Sequence, residues 1–396
     1  MSIAEFEHKR TSKPRLLICA DWFDPGVRAG GPIRSCVNLA MVMRGVARVF
    51  VLTSNRDLGA DSAYPDIPPN HWVNWRGVAR VKYCASSFCR MLAFTRILPR
   101  VRPDVVYLNS IFSPSGALWP LFWMWLSRSS VRIVLAPRGM LKPSALSQKQ
   151  WKKQPLIRTL RLLGLGRRIV FHATSDDEIA EIYRNFGDVQ IVKIANVPCV
   201  PVEKLAPHKK DVGQVKLTFV GRVHPTKNLL WLIQVLKDVQ VKCQLLVIGP
   251  VQDEAYHRLC LDEIRGLPRH VDVNFVGVKS ESEVRALLAD SDAMVLPTLG
   301  ENFGHAIFES LASGTPVIIS DCTIWRNLNE NLAGWDLSLN LPHAFVAAIE
   351  DVAGMDEGRL ETWRRGALET ARRFLDQNAV TEEYQSLFFC KMPEQA

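Results

Sequence analysis

From Val105 to Ser175 the chain has no aspartate and no glutamate. That window supplies neither a carboxylate acid/base pair nor a carboxylate metal cage. It holds eleven Lys or Arg, so its charge has one sign. Paired cysteines are missing too. Nine cysteines are scattered without a CxxC pair, which excludes a thioredoxin-type motif and reads as reduced core thiols of an intracellular protein. The His and Cys spacings build no zinc site. Long apolar runs are also absent. Ala117 to Leu126 is broken by Pro120 and has half of the roughly 20 residues a spanning helix needs. Leu16 to Ala20, after a charged start, is too short for the apolar core of a secretory leader. No short repeat is present.

What is there is ordinary in amount and uneven in placement. The 396 residues exceed one typical core, so two domains are expected. Hydrophobic content of 47% and charged content of 22% fit a folded soluble protein. Residues 1–200 hold 29 Lys or Arg against 13 Asp or Glu, and the remainder 20 against 27. The first half is therefore expected to meet an anion: nucleic acid, a membrane surface or a phosphorylated substrate. Lys149, Lys152, Lys153, Arg158 and Arg161 share one helical segment with Leu156, Ile157, Leu160 and Leu162. Trp123 and Trp125 lie just upstream. Basic and apolar residues on one helix with tryptophan nearby suit an interfacial membrane helix, although a solvated helix over a buried stripe has the same pattern. Nucleic acid is disfavoured, because the aromatics cluster apart from the basics and no recognition motif is present.

Short apolar strands alternate with helical segments along both halves, the signature of parallel sheets covered on both faces. In the first half, strands are expected at Leu16 to Ala20, Val46 to Thr53, Val78 to Tyr83, Asp104 to Leu108, Arg132 to Ala136 and Ile169 to Ala173. Helices are expected at Ser115 to Leu126 and Ser147 to Leu163, and residues 55–76 are expected to be irregular. The proline-rich stretch from Asn196 to Pro207 reads as a linker. A second series follows, with helices closing the chain.

Three strand-to-helix connections carry candidate chemistry. Gly30-Gly31 before Pro32 suits a tight loop opening a helix, able to bring backbone near a phosphate, or an ordinary turn. Phe219-Val220-Gly221-Arg222 ends a strand and Lys227 opens the next helix. A guanidinium fork and an ammonium in one connection suit a diphosphate. Between Pro297 and Asp321, Glu301 and Glu309 flank Asn302-Phe303-Gly304-His305, where the amides of a helix start are free for an anion. In a parallel sheet all such connections open on one edge, where ligands bind. Asp290-Ser291-Asp292 has the D-x-D form of a metal site, but it falls at the opposite edge and reads as capping.

The run G-R-V-H-P-T-K-N followed by P-T-L-G-E-N-F-G-H-A-I-F-E-S-L-A-S-G-T-P-V-I resembles retaining glycosyltransferases of family 4, and Glu301 to Glu309 has the spacing of their E-x7-E motif. The resemblance implies α/β GT-B architecture, two Rossmann-like domains facing across a cleft. It places an acceptor-side domain at 1–197, a nucleotide-sugar-binding domain at 198–377, and a last helix at 378–396 returning to the first domain. It implies that Arg222 and Lys227 neutralise the donor diphosphate and that Glu301 holds the donor sugar with the amides of Asn302, Phe303, Gly304 and His305. Glu309 would take the ribose, Gly221 and Val278 would lie by the nucleotide, and Gly30 and Gly31 would face the diphosphate. Arg138 stands where many relatives have a histidine, and Asn109 ends another strand; both are possible sugar or acceptor contacts. The implied reaction moves a sugar from a nucleotide-sugar donor to a lipid-linked acceptor, a polyprenyl-diphosphate sugar, at the anionic inner face of the cytoplasmic membrane. No metal or other cofactor is expected, and no nucleic acid. A non-catalytic nucleotide-sugar-binding subunit and a GT-B sugar-nucleotide epimerase are the alternatives.

Overall fold

Short apolar runs become strands, the central ones buried on both faces, and the segments between them become the covering helices. The computed structural model describes residues 13–147, 150–197, 202–377 and 380–390. It has two units, residues 1–197 with 379–396, and residues 198–378.

The first unit runs β1 (Arg15–Ala20), α1 (Gly31–Met43), β2 (Arg48–Ser54), β3 (Trp72–Trp75), β4 (Ala79–Cys84), α2 (Ser87–Val101) and β5 (Val105–Asn109). It continues with α3 (Trp119–Leu126), β6 (Arg132–Ala136), α4 (Pro143–Ser147), α5 (Gln150–Leu162), β7 (Ile169–Ala173), α6 (Asp176–Phe186) and β8 (Ile191–Lys193). The sheet order is β3-β4-β2-β1-β5-β6-β7-β8, parallel except for β3. β1 lies between β2 and β5, so the direction of winding reverses there.

The second unit runs β9 (Gln214–Val220), α7 (Leu229–Val235), β10 (Lys242–Ile248), α8 (Glu254–Ile264), β11 (Val271–Gly277), α9 (Glu281–Ala289) and β12 (Ala293–Leu296). Then come α10 (His305–Ala312), β13 (Val317–Ser320), β14 (Gly334–Leu337), α11 (Pro342–Gly354) and α12 (Glu357–Gln377). Its order, β11-β10-β9-β12-β13-β14, is that of a doubly wound nucleotide-binding sheet, reversing between β9 and β12. The last helix, α13 (Val380–Phe389), belongs to the first unit. Tyr384, Leu387 and Phe388 are buried in that unit's core, and Arg132 Nη1 donates to the carbonyls of Leu387 and Phe388.

The structure departs from the periodicity in three places. β3 lies inside the segment expected to be irregular. Its four residues are too few to show an alternating pattern, and Trp72 against Phe50 and Trp75 against Phe23 hold it. The helix expected from Ser115 begins as a π turn over Pro114–Leu118, capped by the Ser113 hydroxyl, before α3 starts. Of the helix expected over 147–163, Gln150–Leu162 is helical, and Pro143–Ser147 is helical as well. β14 is a strand that four residues with one aspartate did not announce.

Candidate active site

Arg222 and Lys227 follow β9, and Glu301 precedes α10 after β12. The two strands are neighbours at the reversal point, so the two connections leave the same edge side by side. His224 shapes the first connection. Its Nδ1 accepts from the Thr226 amide at 3.2 Å and starts the turn Pro225–Lys227. Asn228 then takes the left-handed conformation (φ 60°) that releases the chain into α7. Burial and the neighbouring Arg222 charge hold the His224 pKa below its usual value.

Three edge loops are tied together. The Thr226 carbonyl accepts from the Leu299 amide (2.9 Å) and the Thr298 hydroxyl (3.0 Å). The Ser320 hydroxyl donates to the Thr298 carbonyl (2.5 Å), and the Glu301 amide to the Cys322 carbonyl (3.2 Å). The loops after β9, β12 and β13 thus form one framework. Gly249, after β10, closes it. A Cβ there would lie 2.0 Å from the Gly221 carbonyl oxygen, and its φ of 142° also disfavours a side chain.

On this framework Lys227 Nζ pairs with Glu301 Oε1, with side chains 16% and 14% exposed. Arg222 Nη1 donates to Gln252 Oε1 at 2.7 Å. Burial lowers the Arg222 pKa while Glu301 opposes the shift. Gly304 (φ 79°) caps α10, whose first-turn amides have no partner within the helix. Glu309 lies on α10 and is buried. His305 is half-buried, Gly221 and Asn302 likewise, and Val278 is exposed after β11. Phe303 was expected to offer its amide, and its ring has a separate, structural part. Its ring is 3% exposed and packs on Phe308, Trp325 and Phe374, and its carbonyl accepts from Trp325 Nε1 (2.7 Å). It anchors the loop, and only its backbone is left to face a ligand.

The first unit has its own edge site. Gly30 (φ 63°) caps α1 and Gly31 begins it. Asp57 accepts from the amides of Val27 (2.7 Å) and Arg28 (3.0 Å), and Trp75 Nε1 donates to Asp24 (2.7 Å). Arg138, in the left-handed region (φ 57°), does not extend into solvent. It donates to Asn109 Oδ1 (2.9 Å), to the Tyr107 hydroxyl (2.6 Å) and to Asn196 Oδ1. Tyr107 also contacts His172 Nδ1 at 2.9 Å. Burial first, and the Arg138 charge second, hold His172 at a pKa of about 3, so it is neutral. Asn109 Nδ2 donates to the Pro32 carbonyl at 3.2 Å. Sequence reading missed Asp21, Asp24, Asp57, Tyr107, His172 and Asn196. Each acts through a distant partner and no local motif marks it.

D-x-D is structural. Asp290 ends α9. Asp292 is 3% exposed, accepts from the Lys216 amide (2.8 Å) and meets His208 Nε2 (2.8 Å). Among the described residues no group of three or more His, Cys, Asp or Glu is placed to hold a metal ion.

The basic face is partly as drawn from the sequence. Arg158, Arg161 and Lys152 are exposed on α5, with Lys152 over the Trp151 ring (4.6 Å). Lys153 is tied down, donating to the Ala145 carbonyl (2.6 Å) above the Phe112 ring (5.2 Å). Trp123 and Trp125 are half-buried against the core, with Trp123 stacked on Trp119. The exposed apolar residues are instead Phe122, Leu126, Trp151 and Leu162, the last 87% exposed. Lys149 lies outside the described residues. Among the described residues no helix is long and apolar enough to cross a membrane.

Residues 214–354 match the family described as "Glycosyl transferases group 1". The chain is a glycosyltransferase. It is 26% identical over 334 residues to a phosphatidyl-myo-inositol mannosyltransferase of Mycobacterium leprae, covering 79% of each chain. The sucrose-phosphate synthase structure from Thermosynechococcus elongatus superposes with a TM-score of 0.70 at 16% identity, over 95% of this chain and 98% of that one. Anabaena HepE in complex with UDP and glucose gives 0.64 at 15% identity, over 95% and 98%. These likenesses show the GT-B fold, a pair of Rossmann-like domains.

Proposed function

We propose that this glycosyltransferase takes a sugar from a nucleoside diphosphate and delivers it to an acceptor hydroxyl with retention of configuration. The observation that carries the reading is the Arg222, Lys227 and Glu301 cluster beside the N-terminus of α10, at the reversal point of the second sheet. As the anomeric C–O bond breaks, negative charge grows on the leaving diphosphate. Arg222, Lys227 and the α10 amides supply preorganised positive charge there. Glu301 holds Lys227 in place before a ligand arrives and is positioned to accept from sugar hydroxyls. Glu309 takes the ribose hydroxyls.

In this reading, which follows from the family resemblance, the acceptor oxygen forms the new bond on the face the diphosphate leaves, through an oxocarbenium-like transition state, and its proton passes to the departing phosphate. HepE is bound to UDP in its solved structure, and UDP is the first donor base to test. Calorimetric titration with UDP, GDP and ADP decides the base, and absence of binding by all three would remove the nucleotide-sugar reading.

The acceptor is lipid-linked and the enzyme works at an anionic membrane surface. This is supported by the exposed Trp151, Leu162, Phe122 and Leu126 among basic residues in a window without acids. The mannosyltransferase relative is named for a phosphatidyl-inositol substrate, and the acceptor proposed here is a polyprenyl-diphosphate sugar of surface-polysaccharide assembly. Co-sedimentation with phosphatidylglycerol vesicles should be strong at low salt and weaken at high salt. Equal recovery in the supernatant with and without vesicles would exclude it.

A further inference from the structure

The first unit contains a small pocket where its sheet reverses, between the ends of β1, β5 and β6, lined by Asp21, Trp22, Asn109, Ser110, Arg138 and Met140. Its charge is not balanced from within. Arg138 donates to two amide oxygens and a phenol, all neutral. Among the described residues no carboxylate forms an ion pair with it. The acid beside its backbone, Glu178, is turned away. Its oxygens accept from the amides of Gly139 (2.7 Å) and Thr174 (2.8 Å) and from the Thr174 hydroxyl.

Two buried arginines, Arg90 and Arg364, show what balance looks like. Arg90 is paired with Asp21 at 2.9 Å. Arg364 donates to the carbonyls of Ala289 and Gly314, at the C-terminal ends of α9 and α10, where helix dipoles supply negative charge. Arg138 has neither. A guanidinium stays ionised and carries five N–H donors, which Asn109, Tyr107, Asn196 and the nearby Tyr384 hydroxyl do not exhaust. Holding such a charge without a counter-ion is costly, and the cost is recovered when an anion arrives.

We propose that this pocket binds a carboxylate carried by a sugar substrate. The planar fork matches a carboxylate. The Ser110 hydroxyl donates to the Met140 sulfur at 3.4 Å, a weak bond that it can exchange for one to a carboxylate. Trp22 and Met140 give the sugar ring an apolar wall. Asp21, though paired with Arg90, keeps an acid on the wall, which suits a monoanion better than a doubly charged phosphate. The assignment of the carboxylate to a sugar rests on the nucleotide-sugar glycosyltransferase reading.

The test compares neutral and acidic members of two series, because the carboxylate can come with the donor or the acceptor. Calorimetry compares UDP-glucose with UDP-glucuronate. The Trp22 indole resonance, assigned with Trp22→Phe, compares methyl glucoside with methyl glucuronoside. One series should favour the acid by on the order of tenfold or more, and Arg138→Met should abolish the preference. UDP itself should bind the variant as it binds the wild type, which shows that the second unit is intact. Should Arg138→Met fail to fold, Arg138→Lys decides: a preference reduced severalfold supports the pocket, and an unchanged one overturns it. Equal binding of acid and neutral sugar in both series, or a preference that survives Arg138→Met, overturns the proposal. If UDP does not bind at all, the nucleotide reading falls, while the methyl glycosides still test the pocket.

Discussion

The two units have the same sheet logic and opposite kinds of edge site. In the second, Arg222, Lys227 and Glu301 stand on loops joined by backbone hydrogen bonds, and Lys227 pairs with Glu301. In the first, Arg138 is held from three directions by side chains 29, 31 and 58 positions away in sequence. The second site is made by its loops; the first is made by a side-chain network beneath them. A topological switch point therefore supplies a place for a ligand but does not dictate how charge is arranged there.

The comparison breaks most sharply at the diphosphate cations. Arg222→Ala or Lys227→Ala should lower kcat of sugar transfer by roughly 10²–10³-fold, as loss of a charge-stabilising donor does, with circular dichroism unchanged. Full activity in both would move the chemistry elsewhere. Next comes the framework itself. Gly249→Ala forces a Cβ against the Gly221 carbonyl and should cost about 3 kcal/mol of second-unit stability, by steric strain and an unfavourable φ. Chemical denaturation followed by nucleotide binding measures it, and a neutral effect would show that the loops are not rigidly joined.

Smaller effects sharpen the contrast in the first unit. Tyr107→Phe removes the phenol shared by Arg138 and His172 and should destabilise that unit by about 2 kcal/mol, because buried partners are left unsatisfied. Nucleotide binding should not change. Glu181 is buried with its Oε2 unpartnered, and burial raises its pKa to about 7 against the opposing Lys142 charge. The folded state then holds the proton more tightly than the unfolded chain. The contribution is present below about pH 4.5 and is lost as pH rises through about 7. Stability of the first unit should fall by up to about 3 kcal/mol over that interval, and Glu181→Gln should flatten the dependence. A wild-type profile already flat there would contradict it.

Much of the second site was legible because its parts are local. Gly221, Arg222 and Lys227 fall within seven residues, and Glu301 to Glu309 spans one loop and one helix. Strand, turn and helix signals alone put those side chains on one edge. The part played by the Phe303 ring was not legible, because a loop aromatic looks the same in sequence whether it meets a ligand or Trp325. For a similar reason the spacing of Trp123 and Trp125 identifies a helical stripe but not which side the neighbours cover.

By itself the amino-acid sequence determined two alternating α/β units, their parallel sheets, the proline-rich junction and the two charged connections of the second unit. These follow from local periodicity, backbone preferences and the common edge of a parallel sheet. Only the tertiary structure decided that Lys227 rests on Glu301, that Asp292 is locked to His208 and the Lys216 amide, and that Arg138 lies among neutral partners. A side chain's charge is written in the sequence. Its counter-charge is set by which distant segments fold against it.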